Sequence, residues 1–185
     1  EGDLLVDEPQ QELYRSGVGM LLYLVKHSRP DIANAVRELS KCMTGANAAA
    51  FKELVRVIKF VLDTRAYGLK LAPKWVDTML WELKIYSDSD WAGDKDNRKS
   101  ITGFIIFLLG APILWRSKAQ GSVALSSTEA EFYALSEAAK EIKFIVQVLI
   151  SMGIPVKLPV IVRVDNIGAI FMSENVSTSS RTKHT

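Results

Sequence analysis

The stretch Trp81-Glu-Leu-Lys-Ile-Tyr-Ser-Asp-Ser-Asp90 decides the fold class of this chain. Apolar and polar residues alternate over residues 81–88, which is typical of a β-strand with one buried face. Residues 100–109, 113–115 and 123–125 have the composition of three further strands, and a turn is predicted at residues 110–112. We therefore expect a β-sheet to begin at Trp81.

A long helix is predicted after these strands. Ser126 and Glu129 have the spacing of a capping box at its start, and Gly153 ends it. Its apolar positions recur at helical intervals: Leu135, Ala138, Ile142, Ile145, Leu149 and Met152. Residues 160–164 then form a nearly continuous apolar run, which is typical of a buried parallel strand. This order of elements predicts a mixed α/β layer.

The part of the chain before the sheet is predicted to be helical. Over residues 12–72, apolar residues recur at helical spacing in three segments, the second of which opens at Pro30. In the third segment, Lys52, Arg56 and Lys59 share the face opposite the apolar stripe, where they could follow phosphates or simply face solvent. We predict a small all-helical subdomain over residues 1–72, a linker over 73–80 and an α/β domain over 81–185.

Composition limits the classes of function. The 23 basic and 21 acidic residues give a net charge of +2, so any affinity for a polyanion must come from local clusters. One such cluster comprises Lys95, Arg98, Lys99, Arg116 and Lys118. The single cysteine, Cys42, excludes an internal disulfide. No apolar run approaches the roughly 18 residues that a membrane span needs, so no membrane partner is expected.

Glu131 occupies an unusual position. Steps of four, three and four residues from it reach Leu135, Ala138 and Ile142, the predicted buried stripe of its own helix. A carboxylate that faces the core needs a cation, a hydrogen-bond network or a metal. The alternative is an acidic residue that the dipole favours in the first turns of the helix.

Two aspartates end predicted strands. Asp88 closes the first strand and Asp165 closes the strand of residues 160–164, and ligand sites gather at such carboxyl ends in α/β sheets. Either aspartate could instead serve only to form a turn. Together with Glu131 they would offer hard oxygen ligands without cysteine or histidine, a set that favours Mg²⁺ or Mn²⁺.

Several motifs stand in a fixed order along the chain. They are Leu13-Tyr-Arg-Ser-Gly-Val-Gly19, Leu21-Leu-Tyr-Leu24, Arg29-Pro-Asp-Ile-Ala33, Tyr86-Ser-Asp-Ser-Asp-Trp-Ala-Gly-Asp94, Arg98-Lys-Ser100, Trp115-Arg-Ser-Lys118, Ala124-Leu-Ser-Ser-Thr-Glu-Ala-Glu131, Val164-Asp-Asn166 and Ser180-Arg-Thr-Lys-His184. In these motifs and in their order, nearly the whole chain resembles the reverse transcriptase and ribonuclease H region of copia-type LTR retrotransposon Pol polyproteins.

The resemblance implies a fold, an activity and a site. Residues 1–72 would be the thumb and connection part of a reverse transcriptase, whose polymerase domain would precede them as a partner. Residues 81–185 would be a ribonuclease H-like domain that cleaves the RNA strand of RNA–DNA hybrids during reverse transcription. Two Mg²⁺ or Mn²⁺ ions would be held by carboxylates that match Asp88, Glu131 and Asp165. Asp90 and Glu129 are the nearest competitors, and Glu131 is preferred to Glu129 because it lies on the buried stripe.

Binding of the hybrid is expected to use basic side chains, since phosphate contacts carry most of such affinity. The candidates are Lys95, Arg98, Lys99, Arg116 and Lys118, with Arg56 and Lys59 in the helical part. His184 could assist product release, with a disordered chain end as the alternative. The resemblance also implies an intracellular location, in cytoplasmic virus-like particles or in the nucleus.

Two rival functions follow from the chemistry. In the resembled family a fourth carboxylate stands two residues beyond the position of His184, whereas Thr185 is the last residue here. This chain is therefore expected to cleave a hybrid slowly or not at all, and an extended chain is expected to cleave it. A non-enzymatic nucleic-acid-binding or structural remnant is the alternative function. An integrase-type nuclease is disfavoured because its acids follow the order Asp, Asp, Glu.

Overall fold

The computed structural model describes residues 4–72 and 79–174. The chain divides into two compact units, residues 1–69 and 70–185. Residues 73–78, which lie in the predicted linker, are outside the described ranges, as are residues 175–185. Within these ranges, no helix combines the length and the apolar character needed to cross a membrane.

The first unit is helical, as the sequence predicts. It contains α1 (Glu8–His27), a single 3-10 turn (Pro30–Ile32), α2 (Ala33–Ser40) and α3 (Ala48–Asp63). Side-chain oxygens cap the two longer helices, since Asp7 accepts from the backbone N–H of Gln10 and Asn47 from that of Ala50. The basic residues Lys52, Arg56 and Lys59 of α3 are exposed, in agreement with the predicted amphipathic pattern.

The core of the first unit joins all three helices. Its buried side chains are Tyr14, Val18, Leu21, Ile32, Val36, Leu39, Ala46, Leu54 and Val57. The Tyr14 hydroxyl donates to the carbonyl oxygen of Leu39 at 2.7 Å, and burial raises the pKa of Tyr14 to about 12. Gly17 permits the close packing of α1 on α3, because a Cβ at this position would lie 3.0 Å from Leu54 Cδ2. Cys42 is partly buried against this core.

The second unit is a four-stranded sheet with two helices. Its strands are β1 (Leu83–Asp90), β2 (Ile101–Leu108), β3 (Ala111–Ala119) and β4 (Ile161–Arg163), and its helices are α4 (Ser127–Ser151) and α5 (Ile167–Glu174). The strand order is β3-β2-β1-β4. Among these four strands, β4 pairs with β1 in parallel, because α4 provides the crossover connection between them, and the other two pairings are antiparallel. The predicted fold class, a ribonuclease H-like mixed sheet preceded by a helical part, is confirmed.

One predicted strand is wrong. Residues 123–125 form an irregular segment, whereas β3 is longer than the predicted 113–115 and extends to Ala119. The ladder with β2 continues to the pair Ile101 and Ala119. Beyond it, the Ala124 carbonyl accepts from the Trp91 indole N–H at 3.2 Å and the Leu125 N–H donates to Glu129, so this segment bonds to side chains instead of a neighbouring strand.

The core of the second unit lies between one face of the sheet and α4. It consists of Leu83, Ile85, Phe104, Ile106, Ala138, Ile142 and Leu149. The predicted cap of α4 is confirmed, since Ser126 Oγ accepts from the N–H of Glu129 at 3.1 Å. This packing places the first turns of α4 beside the carboxyl end of β1.

Candidate metal centre

Three carboxylates meet at the carboxyl end of the parallel strand pair. Asp88 lies in the last part of β1, Asp165 follows β4 after one intervening residue, and Glu131 lies in the first turns of α4. Tyr86 and Arg163 are register partners, so Asp88, two residues further along β1, and Asp165, two residues beyond the end of β4, lie side by side. One oxygen of each carboxylate lies within 4.8 Å of the other two. The structure thus brings together the three residues that the sequence singles out.

Glu131 has the least satisfied environment of the three. Only 5% of its surface is exposed, and its Oε1 accepts from the Ser89 backbone N–H at 3.1 Å. Its Oε2 is buried and has no hydrogen-bond partner. Burial raises the pKa of Glu131; hydrogen bonding from Ser89 opposes this increase, and the charges of Asp88 and Asp165 add to it. A buried, unpartnered oxygen beside two further carboxylates fits a hard divalent cation.

The two competing acids lie outside this cluster and make other contacts. Glu129 Oε2 accepts from the Leu125 N–H at 2.7 Å, which completes the capping arrangement at the start of α4. The Asp90 carboxylate lies so close to Gly93 that a Cβ at Gly93 would collide with it. Neither acid belongs to the three-carboxylate group found among the described residues.

The loop between β1 and β2 carries three of the predicted nucleic-acid contacts. Lys95 and Arg98 are exposed and Lys99 is partly exposed. Asp94, which is 2% exposed, organises this loop by accepting from the Asp96 N–H at 3.0 Å and from Asn97 Nδ2 at 3.2 Å. The sequence pattern alone does not predict this role of Asp94, although an Asp that bonds the backbone two residues later is a known turn signal.

The other basic candidates differ in how far their charge is already compensated. Arg116 on β3 bonds Glu141 at 2.7 Å, lies 3.7 Å from Glu137 and stacks over Phe104, so α4 neutralises its charge. Lys118 on the same strand is exposed. In the first unit, Arg56 pairs with Glu53 at 2.7 Å, and Lys59 is exposed. His184 lies outside the described residues.

A close contact between α5 and α4 lies next to Asp165 in the chain. A Cβ at Gly168, near the start of α5, would lie 2.9 Å from both Cγ2 and Oγ1 of Thr128 on α4. The neighbouring Asn166 side chain accepts from the Ala169 N–H at 3.1 Å. The segment after Asp165 is therefore packed tightly on the helix that carries Glu131. Nothing in the sequence distinguishes Gly168 from an ordinary helical glycine.

Comparison with known proteins finds Pol polyproteins of transposons among the relatives of this chain. The chain is 39% identical over 171 residues to the retrovirus-related Pol polyprotein from transposon RE1 of Arabidopsis thaliana, which covers 92% of this chain and 11% of that protein. It is 38% identical over 176 residues to the Pol polyprotein from transposon RE2 of the same plant, covering 95% of this chain and 12% of the relative. The chain thus spans only about a tenth of these polyproteins.

A shorter relative is covered almost entirely. The secreted RxLR effector protein 161 of Plasmopara viticola is 41% identical over 128 residues, which are 69% of this chain and 87% of that protein. No family model matches the chain, and no solved structure matches it.

Proposed function

This chain belongs to the retrovirus-related Pol polyproteins of copia-type retrotransposons, and on that premise we propose that its second unit is a metal-dependent ribonuclease H. It would cleave the RNA strand of RNA–DNA hybrids during reverse transcription. The observation that carries the proposal is the convergence of Asp88, Glu131 and Asp165, with a buried oxygen of Glu131 left unpartnered.

The ligand set favours Mg²⁺ or Mn²⁺ over softer metals, and the family resemblance implies two such ions. Asp88, Glu131 and Asp165 supply only carboxylate oxygens, and no cysteine or histidine stands among them. Ions of this kind supply an activated water and stabilise the charge that develops on the leaving 3′ oxygen. The protein is left with the task of holding the carboxylates in place before the substrate arrives.

The surroundings of the three carboxylates differ. The backbone N–H of Ser89 fixes one oxygen of Glu131, which leaves the buried second oxygen to face a ligand. Asp88 lies in β1 opposite Gly103 of β2, and a residue without a side chain leaves room beside the exposed Asp88 carboxylate. Asp165 is anchored by the packing of α5 on α4 through Gly168.

The hybrid would be bound through its phosphates. The β1–β2 loop presents Lys95, Arg98 and Lys99 on a backbone that Asp94 organises. Such contacts are independent of base sequence and weaken as salt rises. RNA would be distinguished from DNA by its 2′-hydroxyl groups in the shallow minor groove.

The first unit would be the thumb and connection part of the reverse transcriptase. The exposed basic residues of α3 are suited to a nucleic-acid backbone, since Lys52, Arg56 and Lys59 share one helix face. In this proposal the polymerase domain of the polyprotein is the partner of this unit, and the intracellular virus-like particle is the site of action.

Cleavage of a labelled RNA–DNA hybrid by the 185-residue chain tests the proposal. Cleavage is expected with Mg²⁺ or Mn²⁺, faster in a chain extended beyond Thr185 than in this one, and none is expected with EDTA or on a DNA duplex. Asp88→Asn should abolish it, whereas Asp90→Asn, a matched change two residues along the same strand, should retain it. Hybrid binding without metal-dependent cleavage, both by this chain and by a chain extended beyond Thr185 with its fold intact, would instead support the non-enzymatic nucleic-acid-binding role.

A further inference from the structure

A buried glutamine next to the candidate metal centre has no role in the proposed chemistry. Gln120 follows β3 directly, and only 3% of its surface is exposed. Its side-chain Nε2 donates to the carbonyl oxygen of Ala130 at 2.9 Å and to Thr102 Oγ1 at 3.1 Å. A carbonyl oxygen can only accept, so the amide nitrogen has to face Ala130. Both partners of this amide are themselves buried.

These bonds close a ring of contacts around Glu131. Gln120 bonds Thr102 of β2, and Thr102 is the register partner of Ser89 on β1. The Ser89 N–H bonds the Glu131 carboxylate, and Glu131 is the chain neighbour of Ala130. The amide of Gln120 closes the ring by bonding Ala130. The ring runs from the residue after β3, through β2 and β1, to the first turns of α4.

The metal centre requires a restraint of this kind. Three carboxylates whose oxygens lie within 4.8 Å of one another repel each other in the absence of a cation. This repulsion drives Glu131, together with the start of α4, away from Asp88 and Asp165. Gln120 attaches α4 to the sheet one residue before Glu131, so it opposes that movement directly.

We propose that Gln120 is a positioning residue that holds α4 on the sheet, so that Glu131 stays within ligand distance of Asp88 and Asp165. The inference rests on the proposed metal site. It assigns Gln120 no contact with the metal or the substrate. Residues that orient ligands from outside the coordination sphere typically change metal affinity about 10-fold to 100-fold when they are replaced.

Metal affinity measured apart from activity tests this role. Mn²⁺ binding to the full chain would be followed by the electron paramagnetic resonance signal of the free ion, and melting temperatures would be recorded in parallel. Gln120→Met keeps an unbranched side chain but cannot donate, and should raise the Kd for Mn²⁺ about tenfold. Thr102→Val removes only one of the two bonds and should raise it about threefold, which provides a milder variant if Gln120→Met folds poorly.

Ile142→Val is the control for a purely structural effect. Ile142 lies on α4 in the core, about three turns from Glu131, and its truncation lowers stability without touching the ring. The Kd of this variant for Mn²⁺ should stay within about twofold of the wild-type value even if its melting temperature falls as far as that of Gln120→Met.

Unchanged Mn²⁺ affinity in both the Gln120 and the Thr102 variants would overturn the inference. If instead the wild-type chain bound Mn²⁺ no better than Asp88→Asn, the metal site itself would be refuted, and the inference with it.

Discussion

The two units bury charged side chains in opposite ways. In the first unit, the buried Arg29 guanidinium donates to Asp31 at 2.8 and 3.0 Å and to Thr64 Oγ1 at 2.7 Å, and it lies over the Phe60 ring. In the second unit, Glu131 is buried beside two groups of its own sign, and one of its oxygens is unpartnered. A buried charge with an opposite charge beside it needs no external ligand, whereas like charges held together are relieved only by a cation or by protonation.

The largest expected effect comes from removing the uncompensated charge. Glu131→Gln should weaken Mn²⁺ binding by more than about 100-fold, because a ligand is lost outright and not merely displaced. In the metal-free chain the same change should raise stability by about 1 kcal/mol, since it removes a desolvated and repelled carboxylate. Calorimetric titration and urea unfolding measure the two effects. A metal-free variant that is clearly less stable than wild type would show that Glu131 has a structural role.

A second change tests whether close packing keeps the like charges together. Gly168→Ala should destabilise the chain by about 1–3 kcal/mol, because the new methyl group collides with Thr128. The matched control is Gly19→Ala in α1, where a Cβ meets nothing within 4 Å and should stabilise by about 0.5–1 kcal/mol. Thr128→Ala should rescue Gly168→Ala in urea unfolding. A lack of rescue would mean that the Thr128 contact does not limit this position.

A third change breaks the compensated pair of the first unit. Hydrogen bonds from Arg29 hold the pKa of Asp31 below its ordinary value of 3.8, against the effect of burial. Because the folded-state pKa is lowered, the stabilisation is present above about pH 4 and is lost as the pH falls through the lower folded-state value. Asp31→Asn should therefore cost about 1–2 kcal/mol at pH 7, a value reduced by the partial exposure of Asp31.

Urea unfolding at several pH values measures this third effect. The difference between wild type and Asp31→Asn should shrink steadily below pH 4. Glu53→Gln is the control, since its pair with Arg56 is largely exposed and should contribute less than about 0.5 kcal/mol. A difference that stayed constant down to pH 2 would argue against the charge pair as its source.

The smallest expected effect comes from removing the positive charge of a single lysine side chain at the surface. Lys95→Gln should weaken hybrid binding about two- to fivefold and lower the slope of log affinity against log salt by about one. Lys157→Gln is the control, because Lys157 pairs with Glu82 near the opposite end of β1 from Asp88. Fluorescence anisotropy at several salt concentrations distinguishes the two variants. Equal losses in both would indicate only a general effect of net charge.

Local patterns predicted most of the elements, while contacts distant in sequence escaped prediction. The Ser126 cap and the burial of Glu131 on the α4 stripe follow from spacing alone. The extension of β3 to Ala119 depends on its pairing with β2, and no pattern within residues 116–119 reveals it. The roles of Gln120 and Gly168 depend on contacts with α4 that only the folded chain creates. A glutamine at a strand end and a glycine in a helix carry no such information by themselves.

The short length of β4 has a consequence for how the centre assembles. β4 pairs with β1 through three residues, whereas β2 pairs with β1 through eight. β4 itself is held to β1 by few backbone bonds, so residues 161–165 open more readily than the β1–β2–β3 ladder, whereas α5 stays attached to α4 through the close contact of Gly168 with Thr128. Such an opening removes Asp165 and leaves Asp88 and Glu131 behind. A cation bound by all three carboxylates would link β4 to the rest of the sheet. It would therefore slow the exchange of the β4 amide hydrogens with solvent.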